Sequence, residues 1–363
     1  MFNKLRPLIF KFSPEVAHSL AIKALKFNYV PSTKLEESSY LTSTLFGKKI
    51  STPIGVAAGF DKNAEVYNPL YRLGFGFVEV GTITPEPQYG NQKPRVFRLE
   101  EDQALINRLG FNNLGSDNIF NRIKQKKPNG FFGINIGPNK DTVNRIEDYL
   151  ICFKKFYNLG DYITINISSP NTENLRNFHN KTELEELLES IQNEKMKLDT
   201  KIPIAVKISP NIENNKIEII AEILKKYSVD ILIISNTSDK NRENLKNINK
   251  LEKGGLSGKP IELLSNLLIN KFYKLIGEKI KIIGVGGVDS GQGAFEKIIN
   301  GASLVQLYTG MVYKGPNIAS IISNELIDIL KKQGIENISQ AVGTKNWTWR
   351  FRLEILYSHI FYV

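Results

Sequence analysis

The sequence predicts an α/β fold, a (β/α)8 TIM barrel with an N-terminal helical extension. From residue 54 onward, eight short apolar runs alternate with amphipathic segments at helical spacing, which is the element count of this barrel. Most of these runs end in small polar residues, as strands do at the face of a barrel that carries the chemistry. A chain of 363 residues also leaves room for an extension beyond a barrel of about 250 residues. A doubly wound open sheet is the alternative, which eight polar-ended units disfavour.

The predicted barrel units follow one another in chain order. Each strand is a short run rich in isoleucine, valine and other apolar residues, and each precedes a segment with helical periodicity. The predicted strands are residues 54–58, 77–81, 132–136, 162–167, 203–208, 231–235, 281–285 and 304–308. The helical patterns lie near residues 63–73, 113–127, 142–158, 182–198, 213–227, 260–276, 290–300 and 317–333.

Residues 1–40 precede this pattern and are predicted to form a helical hairpin. Apolar residues recur at helical spacing on both sides of Ser13-Pro14, which is typical of a helix start with proline at the first helical position. Residues 1–34 hold six Lys and Arg against one acidic residue, Glu15. Apolar faces with cationic flanks are typical of a segment on an anionic membrane surface. A helix pair packed on the barrel with a solvated outer face is an equal alternative on this pattern.

Composition argues against several classes of protein. Apolar residues make up 41% of the chain, no run approaches the ~20 apolar residues of a membrane-spanning helix, and we see no secretory signal. The single cysteine, Cys152, excludes an internal disulfide and a cysteine-rich metal site. Three widely spaced histidines argue against a histidine metal centre. The net charge of +11 comes from lysines spread over nearly every predicted helix, which indicates solvated helix faces. We therefore expect no metal and no nucleic-acid partner.

The last segment, residues 344–363, holds both tryptophans and several further aromatic and arginine residues. It is either an amphipathic membrane-touching segment or a non-native or disordered end. The sequence does not separate these alternatives, and we assign the segment no role.

The hexapeptide NISSPN, residues 166–171, follows an apolar, β-branched run. Its proline forbids helix and fixes the exit from the strand. Hydroxyl and carboxamide groups are thereby placed at the carboxyl end of a barrel strand, where barrel enzymes hold their catalytic groups. An ordinary turn uses the same residue types, so the remaining motifs decide between the two.

A phosphate site is predicted after the seventh and eighth strands. The run IIGVGGVDS, residues 282–290, passes from a strand through glycines into a helix start. Backbone N–H groups can approach an anion there, and the helix N-terminus favours negative charge. The run QLYTG, residues 306–310, adds a hydroxyl and a glycine at the end of the next strand. Barrels commonly bind a phosphate at this place.

The residues expected to face this site favour a flavin phosphate over a sugar phosphate. Lys207 is a cation on an otherwise apolar strand, and a buried lysine needs an anionic or electron-rich partner. Asn135 and Asn166 place carboxamides at two further strand ends, and AAGFDK, residues 57–62, offers small residues beside a flat ring. No GxGxxG fingerprint follows the first strand, which disfavours a Rossmann dinucleotide site.

Several carboxamides and one lysine indicate the kind of substrate. Carboxamides both donate and accept hydrogen bonds, which suits a planar substrate with amide and carbonyl edges, and a lysine suits its carboxylate. The residues expected together at the barrel mouth are Lys62, Asn107, Asn166, Asn171, Asn236 and Thr237.

These motifs resemble those of the quinone-dependent (class 2) dihydroorotate dehydrogenases. The match runs in chain order from about residue 1 to 343 and is highly specific. It rests on AAGFDKN, GTITPxPQxGNxKPRxFRL, INRLGFNN, GINIGxNKDT, INISSPNTxxLR, PIAVKISP, GGLSGKP, IIGVGGVDS and GASLVQLYTG.

The resemblance implies a flavin mononucleotide (FMN) enzyme that oxidises (S)-dihydroorotate to orotate in pyrimidine (UMP) biosynthesis and passes the electrons to a membrane quinone. It places the catalytic base at Ser169, which takes the C5 proton while a hydride leaves C6 for flavin N5. Soluble class 1 relatives use a cysteine as base. A serine is a weak base without help from its surroundings, such as a water or Thr172.

The resemblance also carries three sets of site residues over to this chain. The implied substrate-binding residues are Lys62, Asn107, Arg108, Leu109, Gly110, Phe111, Asn166, Asn171, Asn236 and Thr237. The implied FMN-binding residues are Ala58, Gly59, Phe60, Asp61, Lys62, Thr82, Asn135, Asn166, Lys207, Ser235, Gly258, Gly287, Tyr308 and Thr309. The implied quinone tunnel, between hairpin and barrel, is formed by His18, Arg98 and Tyr308.

A quinone tail stays in lipid, so the resemblance favours membrane docking by the hairpin. It implies a peripheral membrane protein on the cytoplasmic face of a bacterial inner membrane, and a monomer. The expected domains are residues 1–40 for membrane and quinone access, residues 41–343 for the FMN barrel, and a tail of residues 344–363 that has no counterpart in the family.

Two positions depart from the family pattern. Ser235 stands where many relatives have threonine, and Phe60 where leucine is common.

Two other functions are less well supported by the sequence. A flavin barrel acting on another dihydropyrimidine, such as an RNA dihydrouridine synthase, would need an RNA-binding domain and a cysteine near the flavin, but Cys152 lies within a predicted helix. A membrane-associated binding protein without catalysis would need a broken site, and the site positions are intact.

Overall fold

The computed structural model describes residues 2–33 and 37–346. The prediction about residues 344–363 therefore falls almost entirely outside the described residues. The helices are α1 (Phe2–Ile9), α2 (Pro14–Lys26), α3 (Tyr67–Arg72), α4 (Gly115–Gln125), α5 (Arg145–Phe156), α6 (Lys181–Lys197), α7 (Asn214–Lys226), α8 (Glu262–Ile276), α9 (Gly291–Ile299), α10 (Thr309–Lys314) and α11 (Ile318–Lys332). The strands are β1 (Ser43–Leu45), β2 (Lys48–Ile50), β3 (Ile54–Val56), β4 (Phe77–Ile83), β5 (Val96–Leu99), β6 (Ala104–Asn107), β7 (Phe131–Ile136), β8 (Tyr162–Asn166), β9 (Ile204–Ile208), β10 (Ile231–Ile234), β11 (Gly255–Gly258), β12 (Lys281–Val285) and β13 (Ala302–Leu307).

Eight of these strands close into a barrel, which confirms the predicted (β/α)8 fold over the doubly wound sheet. Their order around the barrel is β3-β4-β7-β8-β9-β10-β12-β13, and it closes where Val305 of β13 lies opposite Ile54 of β3. Neighbouring barrel strands are parallel. All their carboxyl ends therefore lie at one mouth, where the site is expected.

The amino-terminal end of the barrel is closed by apolar side chains. Phe77 and Phe131, the first residues of β4 and β7, form one buried cluster with Tyr162. Leu45 and Ile50, from the β1–β2 hairpin, pack into the same cluster. Because this end is filled, space for a ligand is found at the carboxyl-terminal mouth.

A three-stranded antiparallel sheet, in the order β11-β6-β5, was not predicted. Its strands have four residues each, too few for a periodic pattern to distinguish them from loops. Asn107 pairs with Val96 on one side and with Gly255 on the other. The sheet thereby joins the segment after β4 to the segment after β10.

The first predicted barrel helix is shorter than expected. The pattern at 63–73 predicted a helix there, but α3 begins at Tyr67. The carboxylate of Asp61 accepts hydrogen bonds from the backbone N–H groups of Glu65 and Val66, both at 2.7 Å. These bonds hold the preceding residues in a turn, in competition with helix.

The N-terminal hairpin consists of α1 and α2, and α2 begins at Pro14 as predicted. α1 contacts α10, and α2 contacts α3 and β5. Within the described residues, none of the helices has both the length and the apolar character needed to traverse a bilayer. Large apolar side chains remain exposed on the hairpin, namely Leu5, Leu8, Phe12, Val16 and Leu20.

Candidate active site at the barrel mouth

A cavity of ≈ 170 Å³ opens at the carboxyl-terminal mouth of the barrel. Its walls come from barrel strand ends and from the β5–β6–β11 sheet, so distant segments of the chain meet there. The predicted site residues that line it are Ala58, Gly59, Lys62, Thr82, Asn107, Leu109, Gly110, Phe111, Asn166, Ser169, Asn171, Lys207, Ser235, Asn236, Thr237, Gly258, Gly287, Tyr308 and Thr309.

The two adjacent serines after β8 have different surroundings. The hydroxyl of Ser168 donates to Asn166 Oδ1 (2.6 Å) and accepts from Asn236 Nδ2 (2.8 Å). Ser169 lines the cavity, and its Oγ accepts a hydrogen bond from the backbone N–H of Asn171 (3.2 Å). Ser168 therefore holds two carboxamides in place, while Ser169 lines the cavity.

Lys62 is a cation in the cavity wall. Its Nζ donates to the carbonyl oxygen of Gly59 (2.6 Å). Burial lowers the pKa of Lys62 to about 8, the carboxylate of Glu15 opposes this shift, and the guanidinium of Arg95 adds to it. At neutral pH the group is still mainly an ammonium, with hydrogens left for an anionic ligand.

Lys207 is a second, more deeply buried cation, 5% exposed on β9. Burial lowers its pKa, and the carboxylate of Glu79 partly opposes that shift. Glu79 itself accepts hydrogen bonds from Asn135 Nδ2 (2.8 Å), Tyr162 Oη (2.9 Å) and Gln306 Nε2 (2.9 Å). Among residues 2–33 and 37–346, Lys207 Nζ makes no hydrogen bond with a protein acceptor. An electron-rich ligand in the cavity would stabilise its charge.

Asn135 lies beneath the cavity wall and is fully buried. Its Oδ1 accepts hydrogen bonds from Thr82 Oγ1 (2.6 Å) and Asn166 Nδ2 (3.2 Å). Asn166 Nδ2 also donates to Thr82 Oγ1 (2.9 Å). Asn135 thus orients Thr82 and Asn166, which line the cavity, and its contact with the cofactor stays a prediction.

The remaining predicted substrate carboxamides come from separate segments and meet at the cavity. Asn171 Nδ2 donates to the carbonyl oxygen of Asn107 (3.1 Å), and Asn107 Nδ2 donates to that of Gly255 (3.4 Å). The backbone N–H of Thr237 donates to Asn236 Oδ1 (2.7 Å). The β6–β11 pairing thus brings the loop after β8 against the substrate side of the cavity.

Glycines form a cradle at the ends of β11, β12 and β13. Gly258, Gly286 and Gly287 have φ values of 95°, 115° and 80°, which L side chains rarely adopt. A Cβ on Gly287 would overlap Glu262. The hydroxyl of Thr309, the first residue of α10, lies 2.9 Å from Ser257 Oγ. This combination of close backbone and hydroxyl groups fits a phosphate group.

Besides Asn135, three of the residues predicted to bind substrate or cofactor lie outside the cavity wall. Arg108 forms an ion pair with Glu252 (2.7 Å) and donates to the carbonyl of Pro94 (2.9 Å), so its guanidinium is engaged with protein. Burial raises the pKa of Asp61 to about 6, although its carboxylate caps the turn before α3. Phe60 packs between two aromatic rings of the predicted tunnel. Arg108 and Asp61 therefore hold neighbouring segments in place in this structure, and their ligand contacts stay predictions.

Two of the three predicted tunnel residues, His18 and Tyr308, form an aromatic group with Phe60 beside the cavity. The ring of Phe60 lies edge-on to His18 (5.2 Å between centroids) and to Tyr308 (5.6 Å). Burial lowers the pKa of His18 to about 3, with Lys62 adding to the shift, so its ring is neutral. Arg98 lies at the hairpin end, where its Nη1 donates to the carbonyl oxygens of Phe10 (3.0 Å) and Phe12 (2.9 Å).

Arg95 is a residue that the sequence interpretation missed. It is 3% exposed, and its guanidinium forms an ion pair with Glu15 of α2 (3.0 Å). Two features of the sequence could have indicated it, namely the KPRxFRL motif that contains it and Glu15, the single acidic residue among residues 1–34.

Neither a cysteine nor a metal cluster takes part in this site. Cys152 is buried in α5, where burial raises the pKa of its thiol. In the part of the chain that the structure describes, no three His, Cys, Asp or Glu side chains are grouped so that they could hold a metal ion.

Comparison with known proteins gives one consistent family. The family model described as dihydroorotate dehydrogenase matches residues 40–330. The chain is 45% identical over 338 residues to the dihydroorotate dehydrogenase (quinone) of Bartonella tribocorum, covering 92% of this chain and 93% of that protein. It is 43% identical over 340 residues to the mitochondrial dihydroorotate dehydrogenase (quinone) of Mus musculus, covering 91% and 86%. The crystal structure of DHODH from Eimeria tenella in complex with ferulenol is similar to this structure with a TM-score of 0.89 at 37% identity, covering 92% and 96% of the two chains.

Proposed function

The chain belongs to the dihydroorotate dehydrogenase family, and we infer that it oxidises dihydroorotate to orotate in pyrimidine biosynthesis, with a quinone as final electron acceptor. The observation that carries this is one cavity that combines a serine hydroxyl, an ammonium and several carboxamides with a glycine cradle. The aromatic group of His18, Phe60 and Tyr308 adjoins the same cavity. An RNA dihydrouridine synthase is not favoured, since the relatives are quinone-dependent dihydroorotate dehydrogenases over nearly the whole chain.

We propose FMN as the flavin. The cradle of Gly258, Gly286 and Gly287 with Thr309 would hold its phosphate, and Lys207 would face its ring. Because Lys207 has no protein acceptor in the described structure, ring atoms that carry negative charge would complete its contacts. When bound, FMN supplies the acceptor for the hydride that leaves C6 of the substrate.

We propose that Ser169 takes the C5 proton of the substrate while the proton of its own hydroxyl passes to a water molecule. A hydrogen bond from a backbone N–H stabilises negative charge on the oxygen that accepts it. Ser169 Oγ accepts such a bond from the backbone N–H of Asn171. No hydrogen bond joins Thr172 to Ser169 in the described residues, so help from Thr172 finds no support here. Burial of the loop, with Ser169 5% exposed, keeps the proton transfer away from bulk water.

Lys62 and the carboxamides would bind and orient the substrate. The ammonium of Lys62 suits the carboxylate of dihydroorotate, and that carboxylate would in turn raise the pKa of Lys62. The carboxamides of Asn107, Asn171 and Asn236 would match the amide edge of the ring. The loop containing Leu109, Gly110 and Phe111 closes the remaining wall.

The test is anaerobic flavin bleaching by dihydroorotate, followed by reoxidation. We expect dihydroorotate to bleach the flavin and a short-chain quinone, but not fumarate or NAD, to restore it. Absence of bleaching in flavin-loaded protein would overturn the substrate. Recovery with fumarate or NAD would leave the chemistry and overturn the quinone.

We propose that the hairpin, residues 1–40, rests on an anionic membrane surface and that quinone reaches the cavity between α2 and β5. Exposed Leu8 and Phe12, at 58% and 46%, together with the basic flanks support this proposal. The protein would be peripheral, on the cytoplasmic face of a bacterial inner membrane, and monomeric, with residues 41–343 as the FMN barrel.

Sedimentation with vesicles tests the membrane proposal. Binding should require anionic lipid. It should weaken at least tenfold in Leu8→Asn/Phe12→Asn, because each of these apolar side chains would contribute about 1.5–3 kcal/mol when it is buried in the bilayer. Leu263→Asn on α8, where the side chain is 69% exposed, is the matched control. Equal loss in the control, or no loss in the hairpin variant, would contradict the proposal.

A further inference from the structure

The loop that carries Ser169 is held by side chains that touch neither the cavity nor a tunnel residue. The Ser169 loop, residues 167–180, leaves β8 and passes through a 3-10 helix (Leu175–His179) to the start of α6. Two of its side chains, Arg176 and His179, turn back onto neighbouring strand ends. Their contacts explain how the loop keeps its position.

The imidazole of His179 joins the Ser169 loop to the end of β9. The residue is 6% exposed. Its Nε2 lies 3.1 Å from the backbone nitrogen of Ser209, and its Nδ1 lies 2.9 Å from the carbonyl oxygen of Arg176. Ser209 follows Lys207 by two positions, so this contact fixes the strand end that carries the buried cation.

These two contacts select one form of the ring. A backbone N–H can only donate, so Nε2 of His179 must be the acceptor. The proton then resides on Nδ1, which donates to the carbonyl oxygen of Arg176. In an imidazolium, Nε2 would also carry a proton, and two donors, Nε2–H and the N–H of Ser209, would face each other. The hydrogen bond from Ser209 would then be lost. The geometry thus requires a neutral His179.

The charges around the ring agree with this form. Burial lowers the pKa of His179 to about 4, the guanidinium of Arg176 and the ammonium of Lys216 lower it further, and the carbonyl of Arg176 opposes them. Lys216 approaches from α7, where its Nζ donates to Asn180 Oδ1 (2.9 Å). From β9 the ring meets the uncharged Ser209.

Arg176, whose carbonyl oxygen accepts the hydrogen bond from His179, contacts the backbone on two sides of the cavity. Arg176 Nε donates to the carbonyl oxygen of Ser168 (3.4 Å), and Nη2 donates to that of Thr237 (3.4 Å). Nη1 forms an ion pair with Asp239 (2.8 Å). Ser168 precedes the proposed base, and Thr237 belongs to the proposed substrate contacts, so Arg176 ties together the backbone of β8 and β10 at the cavity.

We propose that His179 is a positioning residue for the reaction: its neutral imidazole fixes Arg176, and Arg176 fixes the backbone at Ser168 and Thr237. This inference rests on the proposed function, in which Ser169 removes a proton from the substrate. A displacement of about 1 Å at a reacting group can cost about 100-fold in rate, so a small shift of this loop is enough to be measured.

The first test is single-turnover reduction of the bound flavin by dihydroorotate. His179→Gln keeps an acceptor for Ser209 N–H and has no titrating group, and we expect its rate within about threefold of wild type. His179→Leu removes both contacts, and we expect a loss of about 10- to 100-fold. Leu330→Ala in α11 is the control for stability, because it deletes buried volume in a helix that packs on α9, α10 and β3, away from the loop, and it should keep the wild-type rate.

The rates of the two variants and of the wild type distinguish a failure of this inference from a failure of the proposed function. A His179→Leu enzyme that is less stable but reduces its flavin at the wild-type rate would show a structural role alone and overturn the inference. A His179→Gln enzyme as slow as His179→Leu would also overturn it. If the wild-type flavin is not reduced by dihydroorotate, the proposed function fails, and the inference fails with it.

The second test observes the ring directly and does not depend on turnover. The protein is labelled with ¹⁵N-histidine and its imidazole nitrogens are observed by NMR. The chain has three histidines, and the signal that is lost in His179→Gln belongs to His179. We expect the neutral Nδ1–H form from pH 5 to 8. An Nε2–H form, or a midpoint at the ordinary value of about 6.5, would overturn the inference. The acid decline of the wild-type reduction rate toward pH 4 should be shallower in His179→Gln.

Discussion

The ion pair between Glu15 and Arg95 links the N-terminal hairpin to the substrate side of the barrel, and removing it tests how the hairpin is held. The side chain of Arg95 is 4% exposed and that of Glu15 is 23% exposed. Nε and Nη2 of Arg95 donate to Glu15 Oε1 (3.1 and 3.0 Å). Nη1 donates to the carbonyl oxygens of Tyr89 (2.6 Å) and Asn91 (2.9 Å). A single guanidinium thus joins α2 to the segment that precedes β5.

The size of the effect follows from what each substitution leaves behind. Arg95→Leu leaves a half-buried carboxylate and two carbonyl oxygens without their donor, and removing one partner of a buried pair costs about 3–5 kcal/mol. Glu15→Gln keeps an acceptor oxygen, so we expect about 1–3 kcal/mol. Because the partners are in contact, the double variant should cost less than the sum of the two, by at least about 1 kcal/mol.

Urea unfolding of the flavin-loaded protein, followed by circular dichroism, measures these differences. The KM for a short-chain quinone should rise in each single variant because the hairpin loosens, while the KM for dihydroorotate changes less. Lys49→Ala is the matched control, since the Lys49–Glu37 pair is even shorter (2.7 Å) but 60% and 67% exposed, and exposed pairs contribute about 0–1 kcal/mol. Strictly additive effects, or an unchanged KM for quinone, would refute the reasoning.

Three further predictions concern single residues. Ser169→Ala should keep its flavin and lose about 10²- to 10⁴-fold in the rate of flavin reduction by dihydroorotate, measured by anaerobic stopped flow; an unchanged rate would remove Ser169 as the base. The KM for dihydroorotate should increase as the pH rises through about 8, where Lys62 loses its charge, whereas Lys62→Arg should show no such increase in steady-state assays. Buried Lys297 has its pKa lowered from 10.5 to about 7, so the unfolded chain binds more protons between those values and wild-type stability should rise with pH in that window. Methionine cannot titrate, and it loses the hydrogen bonds that Lys297 Nζ donates to Ser265 Oγ (3.0 Å) and Asn266 Oδ1 (2.9 Å). The stability of Lys297→Met relative to wild type should therefore be highest near pH 6.5 and fall toward pH 10, as measured by urea unfolding; a constant difference would contradict the lowered pKa.

Much of the fold could be predicted because its signals are local. Each barrel strand is a run of apolar, β-branched residues, and a run of this kind predicts a buried strand wherever it occurs. The same holds for the start of α2 at Pro14, since the N-terminal preference for proline depends on one residue and its neighbours. By contrast, β6 pairs with β5, its neighbour in the chain, and with β11, more than a hundred residues away. Segments of four residues carry no pattern that predicts such a distant partner.

The candidate site divides in the same way. The sequence by itself determined which chemical groups stand at the ends of the barrel strands, because strand ends and polar residue types can both be read locally. Only the tertiary structure decided that Ser169 faces the cavity while Ser168 braces Asn166 and Asn236. It also decided that Arg108 turns to Glu252 and that Arg95 binds Glu15. These outcomes depend on hydrogen bonds and ion pairs between segments far apart in the chain, and no local pattern of residues encodes which distant partner a side chain will meet.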